Sequence, residues 1–195
     1  MPNTLMKAVT VGDKVVGKTS LIIVCSRDWF PEEMVYIPRQ TPTKEIEVDG
    51  LTIEMALWDT QGDGHYDRLR PLSYPQSDVI LICFAIDCPT SFSNVTEKWT
   101  EEVGQFCPRT PFLLVGCKQD LRDDTATISD LKNMDETFIT SAMGKALANQ
   151  IGAVDYFECS AKRKEGVNEV FHEACKAALH NSSQRECRKG RCILQ

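Results

Sequence analysis

At 195 residues, with 42% hydrophobic and 26% charged side chains, the chain has the length and composition of one soluble domain with a sizeable core. A net charge of −6 argues against a general nucleic-acid binder, no apolar run approaches the ~18 residues of a membrane helix, and residues 1–11 do not read as a secretory signal. Nine cysteines, none in a Cys-x-x-Cys pair or a Cys/His cluster of zinc spacing, read mostly as buried thiols of a cytosolic protein.

Residues 6–11 are a short apolar, β-prone segment. Gly12-Asp13-Lys14-Val15-Val16-Gly17-Lys18-Thr19 follows, and residues 20–25, from Ser20 to Cys25, read as a buried helix. A strand, a glycine-bounded loop ending in Lys-Thr and a helix form the context of a phosphate-binding loop. Main-chain N–H groups of such a loop wrap an anion, and the helix N-terminus adds its positive dipole end. Lys18 then reaches the β- and γ-phosphates, and the Thr19 hydroxyl binds Mg²⁺.

The first helix is expected to end near Arg27-Asp28. Pro31, Pro38 and Pro42 make residues 29–43 a surface loop. Residues 44–48 alternate, Asp49-Gly50 is a hairpin signal, and residues 51–58 return as a second strand. Asp59-Thr60-Gln61-Gly62 stands at that strand's end, where a carboxylate holds Mg²⁺ through water and a glycine lets its N–H approach a γ-phosphate. Residues 78–86 read as an apolar strand, and residues 91–106 as a helix with Phe92, Val95, Trp99 and Phe106 on its spacing.

A buried strand over 112–116 delivers Cys117-Lys118-Gln119-Asp120. An aspartate here accepts both N–H groups of the guanine edge, a donor pair adenine lacks, while the lysine lies along the ring. Residues 122–136 read as a short exposed helix, 142–151 as a helix, and 154–159 as a strand ending in Ser160-Ala161-Lys162. Residues 166–179 form an amphipathic last helix with Val167, Val170, Phe171, Ala174, Ala178 and Leu179 on one side. This alternation predicts an α/β fold, a doubly wound, mostly parallel six-stranded sheet flanked by helices, with one antiparallel edge strand. All four motifs fall at strand ends, so they converge on one crevice.

Over nearly its whole length the chain resembles the Rho family of Ras-like small GTPases, the Rho subfamily proper above all. The distinctive passages are Trp58-Asp59-Thr60, Tyr66-Asp67-Arg68-Leu69-Arg70-Pro71-Leu72-Ser73-Tyr74, Glu97-Lys98-Trp99, Asp120-Leu121-Arg122 and Glu158-Cys159-Ser160-Ala161-Lys162. The charged segment after Asp120 corresponds to the Rho insert helix. The resemblance implies a GTP/GDP switch that works with Mg²⁺. Lys118, Asp120 and Ala161 with Ser160 and Lys162 take the guanine, and Phe30 packs beside it. The loop from Gly12 to Ser20, with Asp59 and Gly62, takes the phosphates and metal. It also implies Rho-type effectors, exchange factors and a dissociation inhibitor as partners, and signalling to the actin cytoskeleton.

The departures bear on turnover. The family carries Gly where this chain has Lys14, Ala where it has Gln61, its water-positioning Gln where it has Asp63, and Asn or Thr where it has Cys117. The first switch reads Tyr36-Ile37-Pro38-Arg39, shifted by two residues relative to Phe30. Arg39 stands where the family's Mg²⁺-binding Thr should follow, leaving Thr41 and Thr43 as substitutes. An ionised Asp63 cannot donate a hydrogen bond and repels the γ-phosphate. Lys14 adds bulk where an activator's arginine enters, or sets its ammonium on the γ-phosphate. Gln61, two residues out of register, is a weak substitute for the catalytic position. Cys117 hydrogen-bonds poorly, a loss of ~1 kcal/mol. Arg39 and Lys44 lie where Rho proteins meet effectors.

His65, His172 and His180 have no charge partner in a motif and read as surface or helix-face residues, and Trp29, Trp58 and Trp99 as packing residues. Residues 1–180 are expected to form the nucleotide-binding domain and 181–195 a flexible tail. That tail ends Cys192-Ile193-Leu194-Gln195, the pattern of a prenylation box. One prenyl chain anchors marginally, so a second signal is expected: Cys187 for palmitate, or Arg185, Arg188, Lys189 and Arg191 against Glu186 for anionic lipid. The expected location is the cytoplasm and the cytoplasmic face of the plasma membrane. Two other function classes compete, a GTP-locked scaffold without useful turnover and an adaptor that binds no nucleotide.

Overall fold

The computed structural model describes residues 4–32 and 41–191, with side chains as far as Ser183. Strands β1 (Thr4–Gly12), β2 (Thr43–Val48), β3 (Leu51–Asp59), β4 (Val79–Ala85), β5 (Phe112–Cys117) and β6 (Tyr156–Cys159) form one sheet in the order β2-β3-β1-β4-β5-β6. All neighbours run parallel except β2, which lies antiparallel on β3 at the edge. The doubly wound fold expected from the sequence is therefore present. Every position of β4 is buried, as a central strand covered on both faces requires. Asp49 and Gly50 both take positive φ, 50° and 77°, the condition for a two-residue hairpin turn whose twist matches the strands.

Helices α1 (Lys18–Arg27) and α6 (Val167–Arg191) cover one face of the sheet, over Leu21, Met55, Cys83, Val115 and Phe171. Helices α2 (Pro89–Asn94), α3 (Thr100–Phe106) and α5 (Ser141–Ile151) cover the other, over Val11, Ile82, Trp99 and Leu114. The insert helix α4 (Thr125–Asn133) is mostly exposed and starts where the Asp124 carboxylate accepts the Thr127 N–H. All seven described cysteines are free, and all but Cys88 are buried. No helix among the described residues is long and apolar enough to cross a membrane.

Three expectations need correction. The helix expected over 91–106 is broken by a π-helical turn, Val95–Trp99, between α2 and α3. That bulge places Asn94 and Trp99 at the phosphate loop, a use typical of π-turns near functional sites. Phe106 is outside the core at 44% exposure and stacks on Tyr74 instead, while Trp29 is 49% exposed and is no core packing residue. Finally, α6 continues past Leu179, where the last helix was expected to end, as far as Arg191. Ser182 and Ser183 hydroxyls donate to the Leu179 carbonyl at this extension's base, and no proline interrupts it.

Two helical glycines make opposite predictions. A Cβ on Gly144 would stand 2.1 Å from Tyr156 Cζ, whereas one on Gly104 would meet nothing within 4 Å. Gly144→Ala should cost about 1–3 kcal/mol through overpacking. Gly104→Ala should gain about 0.5–1 kcal/mol from helix propensity. Urea unfolding midpoints check both.

Candidate functional site

The phosphate loop joins the end of β1 to the start of α1, and two close approaches shape it. Gly12 has φ 143°, and a Cβ there would lie 2.1 Å from the Cys83 carbonyl oxygen. Gly62, after β3, packs onto the same loop, where a Cβ would fall 2.3 Å from the Gly12 oxygen and 2.5 Å from the Lys14 nitrogen. Gly17, at φ 111°, precedes α1, and Val15 takes a left-handed φ of 64° with its side chain exposed while Val16 turns into the core. Lys18 is buried, and its Nζ donates to the Gly12 and Asp13 carbonyls at 2.9 and 2.6 Å. Burial lowers its pKa, which makes an anion at the loop a better partner than water.

Beside it, Thr19 Oγ1 donates to Asp59 Oδ2 at 2.6 Å. Asp59 Oδ1 is buried with no hydrogen-bond partner, and burial raises the carboxyl's pKa. An orphaned carboxylate oxygen next to a hydroxyl is an oxygen donor set suited to a hard divalent cation such as Mg²⁺. The residues present therefore fit that ion.

Asp13 is held from across the molecule. Its two carboxylate oxygens accept Asn94 Nδ2 at 2.6 Å and Trp99 Nε1 at 2.8 Å. Sequence reading treated Trp99 as packing alone and passed over Asn94. Asn94 lies in no motif, Glu97-Lys98-Trp99 gives no sign of the bond, and 81 and 86 residues separate the two from Asp13. Arg70 stands in the passage from Tyr66 to Tyr74, but nothing in the sequence points to its partners. Its buried guanidinium binds Glu102 on α3, Asp67, and the Gln61 carbonyl at 2.9 Å, fixing the segment after β3 against α3. Gln61 is thus held by its main chain.

Asp63 caps a short 3₁₀ turn, accepting the His65 N–H at 3.0 Å and facing His65 Nδ1 at 2.5 Å. His65, read as unpartnered, pairs with Asp63. The His65 N–H, the His65 ring and, more weakly, Lys14 hold the Asp63 carboxyl below the ordinary range, so it is ionised near neutral pH. Lys14 itself is exposed.

The base end is a cavity of about 290 Å³, lined by Ser20, Phe30, Lys118, Asp120, Ala161 and Lys162 together with Cys117 and Cys159. Asp120 is buried, and Ser160 Oγ donates to its Oδ1 at 2.6 Å. Ser160 and Glu165 exchange main-chain hydrogen bonds, which close the loop carrying Ala161 and Lys162. Lys118 takes a left-handed φ of 64° and points toward Asp87, 3.6 Å away. Cys117 abuts the phosphate loop, its Cβ 3.4 Å from where a side chain on Gly17 would begin. Interaction with Cys159 and Cys83 holds the Cys117 pKa below the usual thiol value, while theirs are raised.

The structure thus brings the loop residues, Asp59, Gly62, Lys118, Asp120 and Ser160 to one edge of the sheet. Tyr36, Ile37, Pro38 and Arg39 lie outside the described residues, as does Cys192, and the Cys187 side chain is likewise not described. Thr43 opens β2 and Thr41 precedes it, and no described contact joins either to Asp59.

A Ras-family model matches residues 7–180 of the chain. The GTP-binding protein RHO1 of Candida albicans is 50% identical over 190 residues, covering 96% of this chain and 94% of that one. With the loop, the paired Thr19 and Asp59 and the buried Asp120 in place, the chain belongs to the Ras family of small GTPases, and to its Rho type.

Proposed function

We propose that this Rho-type GTPase binds guanine nucleotide in the crevice described and hydrolyses GTP poorly, so that it dwells in the triphosphate form. The observation that carries the reading is the pair Lys14 and Asp63 at the γ-phosphate end. Asp120 accepts the guanine N–H pair through its free carboxylate capacity, with Ser160 fixing its orientation. Lys118 and Phe30 flank the ring, and Ala161 and Lys162 close the base end. The loop N–H groups and Lys18 take the phosphates. Thr19 and Asp59 would hold Mg²⁺, which would supply charge neutralisation at the phosphates.

Hydrolysis in this class depends on placing a water and neutralising charge, and an activator's arginine is worth roughly 10³–10⁵ in rate. Asp63 does neither, because an ionised carboxylate bound to His65 offers no donor to a water and opposes a developing negative charge. Lys14 stands on the exposed rim of the loop, where an activator's arginine must enter. A second reading, an adaptor that binds no nucleotide, draws on Cys117 at a position the family gives to a stronger hydrogen-bonding residue.

Membrane attachment through a prenyl group on Cys192, aided by Cys187 or the basic residues before it, belongs to the same proposal. So do the cytoplasmic face of the plasma membrane and Rho effectors, exchange factors and a dissociation inhibitor that lead to actin.

Purified protein should carry GTP, and single-turnover hydrolysis should respond little to a Rho-type activating protein. The double change Lys14→Gly with Asp63→Gln should restore stimulation by roughly 10³ or more. Brisk stimulated turnover by the unaltered chain refutes the reading, and absence of any co-purifying or added nucleotide favours the adaptor.

Asp59 gives a pH prediction. Its pKa is raised in the folded, metal-free state, so its contribution to stability is greatest below the unfolded value of about 3.9 and is lost as pH rises to the folded value. Asp59→Asn should therefore stabilise the metal-free protein at neutral pH by about 1–3 kcal/mol. The same change should remove the stabilisation that Mg²⁺ with GDP gives the unaltered chain, read as a melting temperature with and without the ion.

A further inference from the structure

Three thiols, Cys83, Cys117 and Cys159, meet beneath the phosphate loop on the sheet face covered by α1 and α6. Cys117 and Cys159 end β5 and β6, and Cys83 lies two residues before the end of β4. Cys117 and Cys159 are in-register partners on parallel neighbours, and both line the base cavity. Cys83 is offset, since Cys117 pairs with Ala85 on β4. Adjacent strands stand ~4.7–4.9 Å apart, inside the Cα separation of ~4.4–6.8 Å that a disulfide spans. The offset of Cys83 carries it away from Cys117 by two residues along the strand, a further ~6.5 Å. Gly17 offers no side chain between Cys117 and the loop, and the sulfur lies 3.9 Å from where one would begin.

We propose that Cys117 and Cys159 form a peroxide-oxidisable pair that opens on the nucleotide cavity, is shielded when the cavity is filled, and disables the base end when linked. The shielding and disabling rest on the reading that this cavity takes guanine nucleotide. Cys117 is the sulfur that attacks, because it lines the cavity, lies against the side-chain-free Gly17 and has its pKa held below the usual thiol value. Its sulfur takes one peroxide oxygen, the O–O bond breaks, and Cys117 sulfenic acid and water result. The Cys159 thiol then attacks the Cys117 sulfur, the S–O bond breaks, and the departing hydroxide takes the thiol proton as a second water. Two electrons leave the protein and one peroxide becomes two waters. Transient redox-sensing disulfides of this kind are the form in which cytosolic disulfides occur. The link would act on binding because Cys117 directly precedes Lys118 and Cys159 directly precedes Ser160, whose hydroxyl holds Asp120.

The test treats the full chain, reduced and stripped of nucleotide with a chelator, with hydrogen peroxide, then alkylates, digests and maps it by mass spectrometry. A peptide pair joining Cys117 to Cys159 is expected, with guanine-nucleotide affinity falling at least about tenfold, some 1.4 kcal/mol, and returning with dithiothreitol. Excess GDP with Mg²⁺ should slow its formation about tenfold or more. Cys83→Ser should keep the link. Cys159→Ser should lose it and leave a dimedone-reactive sulfenic acid on Cys117. Absence of the link in the unaltered chain, or a link dominated by Cys83, overturns the inference. Reduced protein that forms the link but binds no GDP sinks the nucleotide reading and with it the shielding, while the oxidation site stands. Reduced protein that binds GDP and forms no link does the reverse.

Discussion

Crowding of main chain against main chain governs this site. Gly12 lies against the Cys83 carbonyl and Gly62 against the loop itself, so that neither position has room for a single methyl group. This tight nesting is what lets N–H groups, rather than side chains, line an anion site, and it puts the segment after β3 in direct contact with the loop after β1. Any group that settles at the loop's phosphate end therefore bears on residues 59–63 without an intermediary. The cost is a set of charges drawn out of water, each of which needs a partner.

Those partners come from distant parts of the chain. Asp13 is satisfied by Asn94 and Trp99 through the π-turn, and Arg70 ties the segment after β3 to Glu102 on α3. Trp99 is stacked beneath Arg70 at 4.6 Å and bonded to Asp13, so one buried indole touches both the loop and the switch segment. Asp59, like Asp87, keeps one buried oxygen without a hydrogen-bond partner among the described residues. That imbalance at Asp59 sits where a divalent cation fits. In the function proposed here, Asp63 and Lys14 add a different imbalance at the γ-phosphate end, with chemistry that neither places water nor leaves an activator room.

Much of the fold was legible in the sequence because hydrophobic periodicity and turn chemistry act locally. The continuous apolar run of β4, the Asp49-Gly50 hairpin and the Gly17-Lys18-Thr19 helix start each declare themselves within a few residues. The π-turn did not, because its apolar spacing also suits an ordinary helix, and only the pull of Asn94 and Trp99 toward Asp13 distinguishes the two. The length of α6 escaped too, since a polar, charged composition suits an exposed helix as well as a coil.

By itself the sequence determined the order of elements, the family and the residue types at the phosphate and base ends, because those depend on short motifs and on periods of 2 and 3.6 residues. Tertiary structure decided which charges are satisfied and which groups meet: that Asp13 is clamped, that Asp63 is bound to His65, that Asp59 keeps an orphaned oxygen, and that Cys117 and Cys159 from two strands line one pocket. Such pairings are set by strand order and register, which bring together residues scores of positions apart, and nothing within a local window of sequence encodes them.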